Sequence, residues 1–99
     1  MSLLKHFRVD DDLAAAEQSA IEVTVTMNDG TKRWCYFMTP AALAAAGDWV
    51  PGTQVRLHYG APHMIVVSEL NADIIARVLQ HLDQRGELAS CTRMVEGAG

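Results

Sequence analysis

A chain of 99 residues is expected to form a single domain, with material for one core and not two. An apolar fraction of 49% and a charged fraction of 20% belong to an ordinary globular protein, not a disordered one. The formal charge of −4, with lysines and arginines scattered, leaves out the basic stripe that a nucleic-acid binder needs to displace counterions.

Residues 1–20 form a poorly defined N-terminal segment. Met1 to Lys5, like Glu96 to Gly99 at the other end, match no pattern and are expected to fray. His6-Phe7-Arg8-Val9 alternates and suits a short edge strand. Asp11 or Asp12 suits the N-cap of a short helix through Leu13 to Glu17, because an aspartate oxygen accepts the first free amide protons. Asp10-Asp11-Asp12 is the densest charge cluster. A solvated turn or helix start explains it better than a metal site, since three adjacent carboxylates do not face one point unless a loop folds around the ion.

Ile21 to Thr39 reads as a β-hairpin. Ile21, Val23, Val25 and Met27 alternate with Glu22, Thr24 and Thr26, the period of a half-buried strand. Asp29-Gly30 suits the two central positions of a type I′ turn. That turn pairs Val25 with Trp34, Val23 with Tyr36 and Ile21 with Met38, all on one face, and leaves Thr24 opposite Cys35 and Glu22 opposite Phe37. Thr39-Pro40 then opens a short alanine-rich helix closed by Gly47, with Leu43 as its expected anchor.

Pro51-Gly52 carries the signature of a type II turn. Val55 to Tyr59 and His63 to Val67 read as a second hairpin around Gly60-Ala61-Pro62, with Leu57 paired to Ile65 and Val55 to Val67. The return strand is almost wholly apolar and is expected to be central and buried on both faces. A long helix follows to Arg85 and stops at Gly86. Asn71 is its favoured N-cap and Ser68 the other candidate, and Ile74, Ile75, Val78, Leu79 and Leu82 form its apolar stripe. Leu88 to Val95 reads as a final strand, with continuation of the helix as the alternative. The sum is an α+β domain. It is expected to hold an antiparallel sheet of four or five strands built from two hairpins, with a short helix and one long helix on one face.

Few residues suggest chemistry. His58 and His63 flank a tight turn, and imidazole is a common metal ligand; a hairpin would bring them within reach of one ion, especially with Glu69 or Cys35 joining them. The two histidines match no zinc spacing, and the expected register points them to opposite faces. Cys35 between Trp34 and Tyr36 has the form of a nucleophile, but a buried, inert strand cysteine is the simpler reading, and Cys91 reads likewise. No phosphate loop, nucleophile-base order or paired-carboxylate motif is present. Trp34, Tyr36, Trp49 and Tyr59 are amphipathic aromatics that suit core packing, an interface or a small-ligand pocket.

Two cysteines suggest no disulfide framework, Ser2-Leu3-Leu4 is too short for an export signal, and no apolar run reaches the ~18 residues of a membrane span. A cytoplasmic setting with reduced thiols is therefore expected. The favoured function is a non-enzymatic protein-interaction domain without cofactor, pairing with itself as a homodimer or with another protein, and with neither nucleic acid nor membrane. The alternatives are a small metal-binding protein or enzyme using His58 and His63, and a small-ligand domain lined by Trp34, Tyr36, Trp49 and Tyr59.

Overall fold

A computed structural model describes residues 3–45, 48–57 and 63–95. The chain is α+β, with a five-stranded sheet and two α-helices among the described residues. The strands of the sheet are β1 (Leu4–Val9), β2 (Ile21–Met27), β3 (Lys32–Met38), β6 (Met64–Val66) and β7 (Arg93–Met94). The helices are α1 (Pro40–Ala45) and α2 (Ala72–Gln84). A separate two-stranded ladder joins β4 (Asp48–Trp49) to β5 (Arg56–Leu57).

The sheet runs β1-β2-β3-β6, and β7 also pairs with β3. It is mixed, not purely antiparallel as expected, because β6 lies parallel to β3. A parallel neighbour needs a long crossover, and here the stretch holding α1 and the β4–β5 ladder supplies it. Among the described residues the pairing expected of the second hairpin is not found, and its Gly60-Ala61-Pro62 loop lies outside them. Leu57 pairs with Asp48 and Ile65 with Phe37, instead of Leu57 with Ile65. The Pro51-Gly52 turn explains the change. Thr53 N–H donates to Val50 O at 3.1 Å, Gly52 takes a φ of 78°, and Val50 N–H donates to Val55 O, so the chain folds back there. The strand expected to be central lies at the edge of the path, with Val66 49% exposed.

The β2–β3 hairpin forms, with a register one residue from the expected one. Val23 faces Cys35, Val25 faces Arg33 and Ile21 faces Phe37. Gly30 N–H donates to Met27 O and Met27 N–H donates to Thr31 O, closing a three-residue loop with Gly30 at φ 85°. A type I′ turn needs a positive φ at Asp29 as well, and no described non-glycine residue has one. The extra loop residue reverses the faces of β3. Cys35 and Phe37 are fully buried, while Trp34 and Tyr36 turn to the other face, opposite Thr24 and Glu22.

The core joins Val23, Val25, Met27, Cys35 and Phe37 of the sheet to Ile75 and Leu79 of α2 and to Leu88. Ile74, Val78 and Leu82 flank those two positions on α2 and are half-buried. Asn71 caps α2, its side chain accepting from Ile74 N–H at 2.9 Å. At the other end Glu87 N–H donates to Leu82 O and Gly86 N–H to Asp83 O, the paired bonds of a Schellman stop, with Gly86 at φ 71°. In α1, Thr39 is the cap, its hydroxyl accepting from Ala42 N–H. Ala42, not Leu43, is the fully buried residue. The closing Gly47 lies outside the described residues.

The N-terminal segment is more ordered than expected. Leu4 and Lys5 belong to β1, which pairs antiparallel with β2 and carries an irregularity between Leu4 and His6. The buried Asp83 carboxylate accepts the backbone N–H groups of Leu3 (2.9 Å) and Leu4 (3.3 Å), tying β1 to the end of α2. Asp12 caps a 3₁₀ turn over Leu13–Ala15. The expected last strand shortens to β7, because residues 88–92 form a turn in which Thr92 Oγ1 donates to Leu88 O.

Candidate functional site

Position 34 to 36 of β3 and the start of β6 assemble an aromatic group. Trp34 and Tyr36 are two residues apart on one strand, so they project from the same face, the one opposite α2. Their ring centroids lie 6.2 Å apart. His63, whose carbonyl accepts Tyr36 N–H, presents its ring edge-on to both, at 4.5 Å from Trp34 and 5.2 Å from Tyr36. All three are half-buried. Trp49 stands apart on the β4–β5 ladder, 54% exposed. Tyr59 and His58 lie outside the described residues. Among those that are described, no three histidine, cysteine, aspartate or glutamate side chains group as metal ligands. Glu69 is exposed and lines a different cleft, beside Glu17 and Thr39.

Cys35 lies on the core face of β3 with no exposure, and burial, with a smaller contribution from Cys91, pushes its thiol up to about 12. A thiol so disfavoured as thiolate is no nucleophile. The acid run is consumed locally. Asp11 accepts Glu22 N–H, Asp12 caps its turn, and Asp10 takes Thr24 Oγ1–H at 2.6 Å and Arg8 Nε–H at 2.7 Å. Burial raises the Asp10 pKa, but the hydrogen bonds from Thr24 and Arg8 and the charge of Arg8 outweigh it and hold the carboxyl below the usual aspartate value.

Two features escape a reading of the sequence. Arg33 projects from the core-side register of β3 and reaches the 88–92 turn: Nε–H donates to Thr92 Oγ1 (2.7 Å), and one terminal nitrogen donates to Ala89 O (2.9 Å) and Thr92 O (3.0 Å). Those acceptors are far away in the chain, and nothing local to Lys32-Arg33-Trp34 announces them. The second feature is a gap along β3. β6 meets it at Tyr36 and β7 at Trp34, and since the two strands run in opposite directions, both start at this gap. An open crevice of about 480 Å³ forms there, lined by Arg33, His63, Ser90, Thr92 and Arg93 among others. No described helix is long and apolar enough to cross a membrane. Compared with family models, curated proteins and solved structures, the chain matches none of them.

Proposed function

We propose that the chain is a non-enzymatic interaction domain that pairs with a second copy of itself through the β4–β5 hairpin. The observation that carries this reading is the exposure of Trp49 (54%), Val55 (57%) and Leu57 (41%) on one short hairpin. Because Asp48 stands opposite Leu57, alternation puts Val55 and Leu57 on one face and Trp49 on the other. A two-stranded ladder is marginal alone, and one with apolar side chains on both faces gains from a cover. No described strand pairs with its outer edges. A two-fold axis through such an edge would extend two strands to four and cover the apolar groups of both copies alike.

Covering these three half-exposed side chains contributes about 3–5 kcal/mol. Association costs are of similar size, so the dimer is reversible and concentration-dependent. The burial of Cys35 supports the non-enzymatic part of the reading, since it removes the best-placed nucleophile. The test is molar mass by light scattering or sedimentation across a wide concentration range. The mass should rise from 10.8 kDa towards twice that value. Val55→Lys, which sets a charge at the edge, should stay monomeric with an unchanged circular-dichroism spectrum. A parent chain that remains monomeric at millimolar concentration, or a Val55→Lys chain that pairs as tightly, overturns the proposal.

A further inference from the structure

We infer that Cys35 and Cys91 form a reversible redox pair: hydrogen peroxide oxidises them to a disulfide that fastens the 88–92 turn and β7 to β3. The pair forms within one chain and does not depend on the pairing of two hairpins. The register of β3 places the first thiol. Arg33, Cys35 and Phe37 stand opposite Val25, Val23 and Ile21, so all three share the core face. Cys35 has no exposure there and lies in one cluster with Leu88. The coiling of the 88–92 turn places the second thiol. Cys91 N–H donates to Glu87 O at 3.1 Å and to Leu88 O at 3.2 Å, so the turn winds like a helix. Residues three and four apart then share a side. Leu88 and Thr92 are buried, Cys91 is half-buried, and Ala89 and Ser90 are exposed. Leu88, Cys91 and Thr92 therefore form the side turned to the sheet.

Two contacts bring that side to Cys35. Arg33, two residues from Cys35 on the same face, donates to Ala89 O at 2.9 Å and to Thr92 O at 3.0 Å, the carbonyls on either side of Ser90-Cys91. β7 pairs Arg93 with Trp34, and one step further along that register Thr92 comes beside Cys35. Cys91 is the next residue of a coiled turn, a placement that suits the Cα spacing of a disulfide, about 4.4–6.8 Å. Cys91 also adds to the upward shift of the Cys35 thiol, as a close neighbour does. The chemistry divides between the two. Half-buried Cys91 is the thiol that peroxide reaches. Its sulfur attacks one peroxide oxygen, the O–O bond breaks, and the departing hydroxide takes the thiol proton as water, leaving a sulfenic acid. Cys35 Sγ then attacks Cys91 Sγ. The S–O bond breaks, the S–S bond forms, and the hydroxide leaves with the Cys35 proton as a second water. The two thiols lose two electrons in all, and one peroxide gains them. Burial makes Cys35 inert towards reagents in solution, and holding it against the sulfenic acid replaces that lost reactivity by proximity. A dithiol reverses the reaction by exchange.

The experiment treats the full chain, dilute and free of reductant, with hydrogen peroxide. Intact mass, peptide mapping without reduction and amide exchange follow the outcome. Loss of both free thiols is expected, with a monomer lighter by two hydrogens and a peptide pair joined through Cys35 and Cys91. Dithiothreitol should restore both thiols. Val95 N–H, which donates to Lys32 O just beyond β7, should exchange at least about tenfold more slowly in the oxidised chain, because the disulfide holds shut the opening that exposes it. Cys91→Ser should leave Cys35 a thiol after peroxide. Cys35→Ala should stop at a Cys91 sulfenic acid that dimedone traps. If that variant fails to fold, the peptide map of the parent chain decides. Disulfides only between chains, Cys91 oxidised to its sulfinic acid while Cys35 stays a thiol, or Val95 exchange that oxidation leaves unchanged each overturn the proposal.

Discussion

Cys35 shows how much one position depends on the register of its strand. Had Trp34 and Tyr36 faced the core, Cys35 would lie on the open side with Thr24. In the fold it has no exposure, and desolvation, with Cys91 adding to it, pushes its thiol to about 12. The raised value acts in one direction: the reactive thiolate is disfavoured, and at pH 8 fewer than about one molecule in a thousand carries it. Cys91, on the 88–92 turn, is half-buried. Labelling with a thiol reagent should therefore give one fast phase from Cys91 and one slow phase from Cys35. Denaturant should merge them, and Cys91→Ser should remove the fast phase alone. Two fast phases in the native chain would show that Cys35 opens to solvent. The inert cysteine itself was legible, since an apolar strand is its usual place. Its neighbours were not, because alternation says that 34 and 36 share a face without saying which face is buried.

At the scale of elements, local chemistry was readable and pairing was not. Caps, stops and turns depend on a few adjacent residues, and these were read correctly at Thr39, Pro51-Gly52, Asn71 and Gly86; of the two candidates Asp11 and Asp12, Asp12 is the cap, and of a 3₁₀ turn rather than of a helix reaching Glu17. The β2–β3 register failed on one glycine. Asp29-Gly30 suits a two-residue turn, but the chain uses Gly30 as the left-handed residue that closes a three-residue loop. Both loops satisfy the same sequence, and burial of Phe37 and Cys35 against Ile75 and Leu79 selects between them. The stop of α2 gives a clean test of backbone conformation. Gly86 has a φ of 71°, and a Cβ placed there would meet nothing within 4 Å. Gly86→Ala should then cost about 1–2 kcal/mol through backbone strain alone. Gly86→Asn should cost less, since asparagine tolerates this region. Denaturant unfolding measures both. Equal losses would mean that the Schellman bonds of Gly86 and Glu87 do not hold this conformation.

At the scale of the whole molecule the least legible feature is the parallel step from β3 to β6. Neighbouring strands in sequence were read as neighbours in space, which is the common case. Here the chain interposes α1 and the β4–β5 ladder before returning to β3, and no short-range signal encodes a contact formed across that distance. The return leaves a molecule of two unequal parts. The five-stranded sheet and α2 share a core in which Val23, Val25, Phe37, Ile75 and Leu79 have no exposure. The β4–β5 ladder shares little of it: Val55 and Leu57 are more than a third exposed, as is Trp49. Amide hydrogen exchange should separate the parts, because protection follows the free energy of the opening that exposes each bond. In dilute solution the amides of Val23 and Val25 should exchange only on global unfolding, and those of Val50 and Val55 at least about a hundredfold faster. Concentration then links this hierarchy to self-association. If a second copy covers the hairpin, raising the protein concentration should slow Val50 and Val55 and leave Val23 unchanged, and Val55→Lys should abolish that slowing. Equal protection of hairpin and sheet in dilute solution would instead make the ladder part of the cooperative unit, stabilised within one chain and not needing a mate.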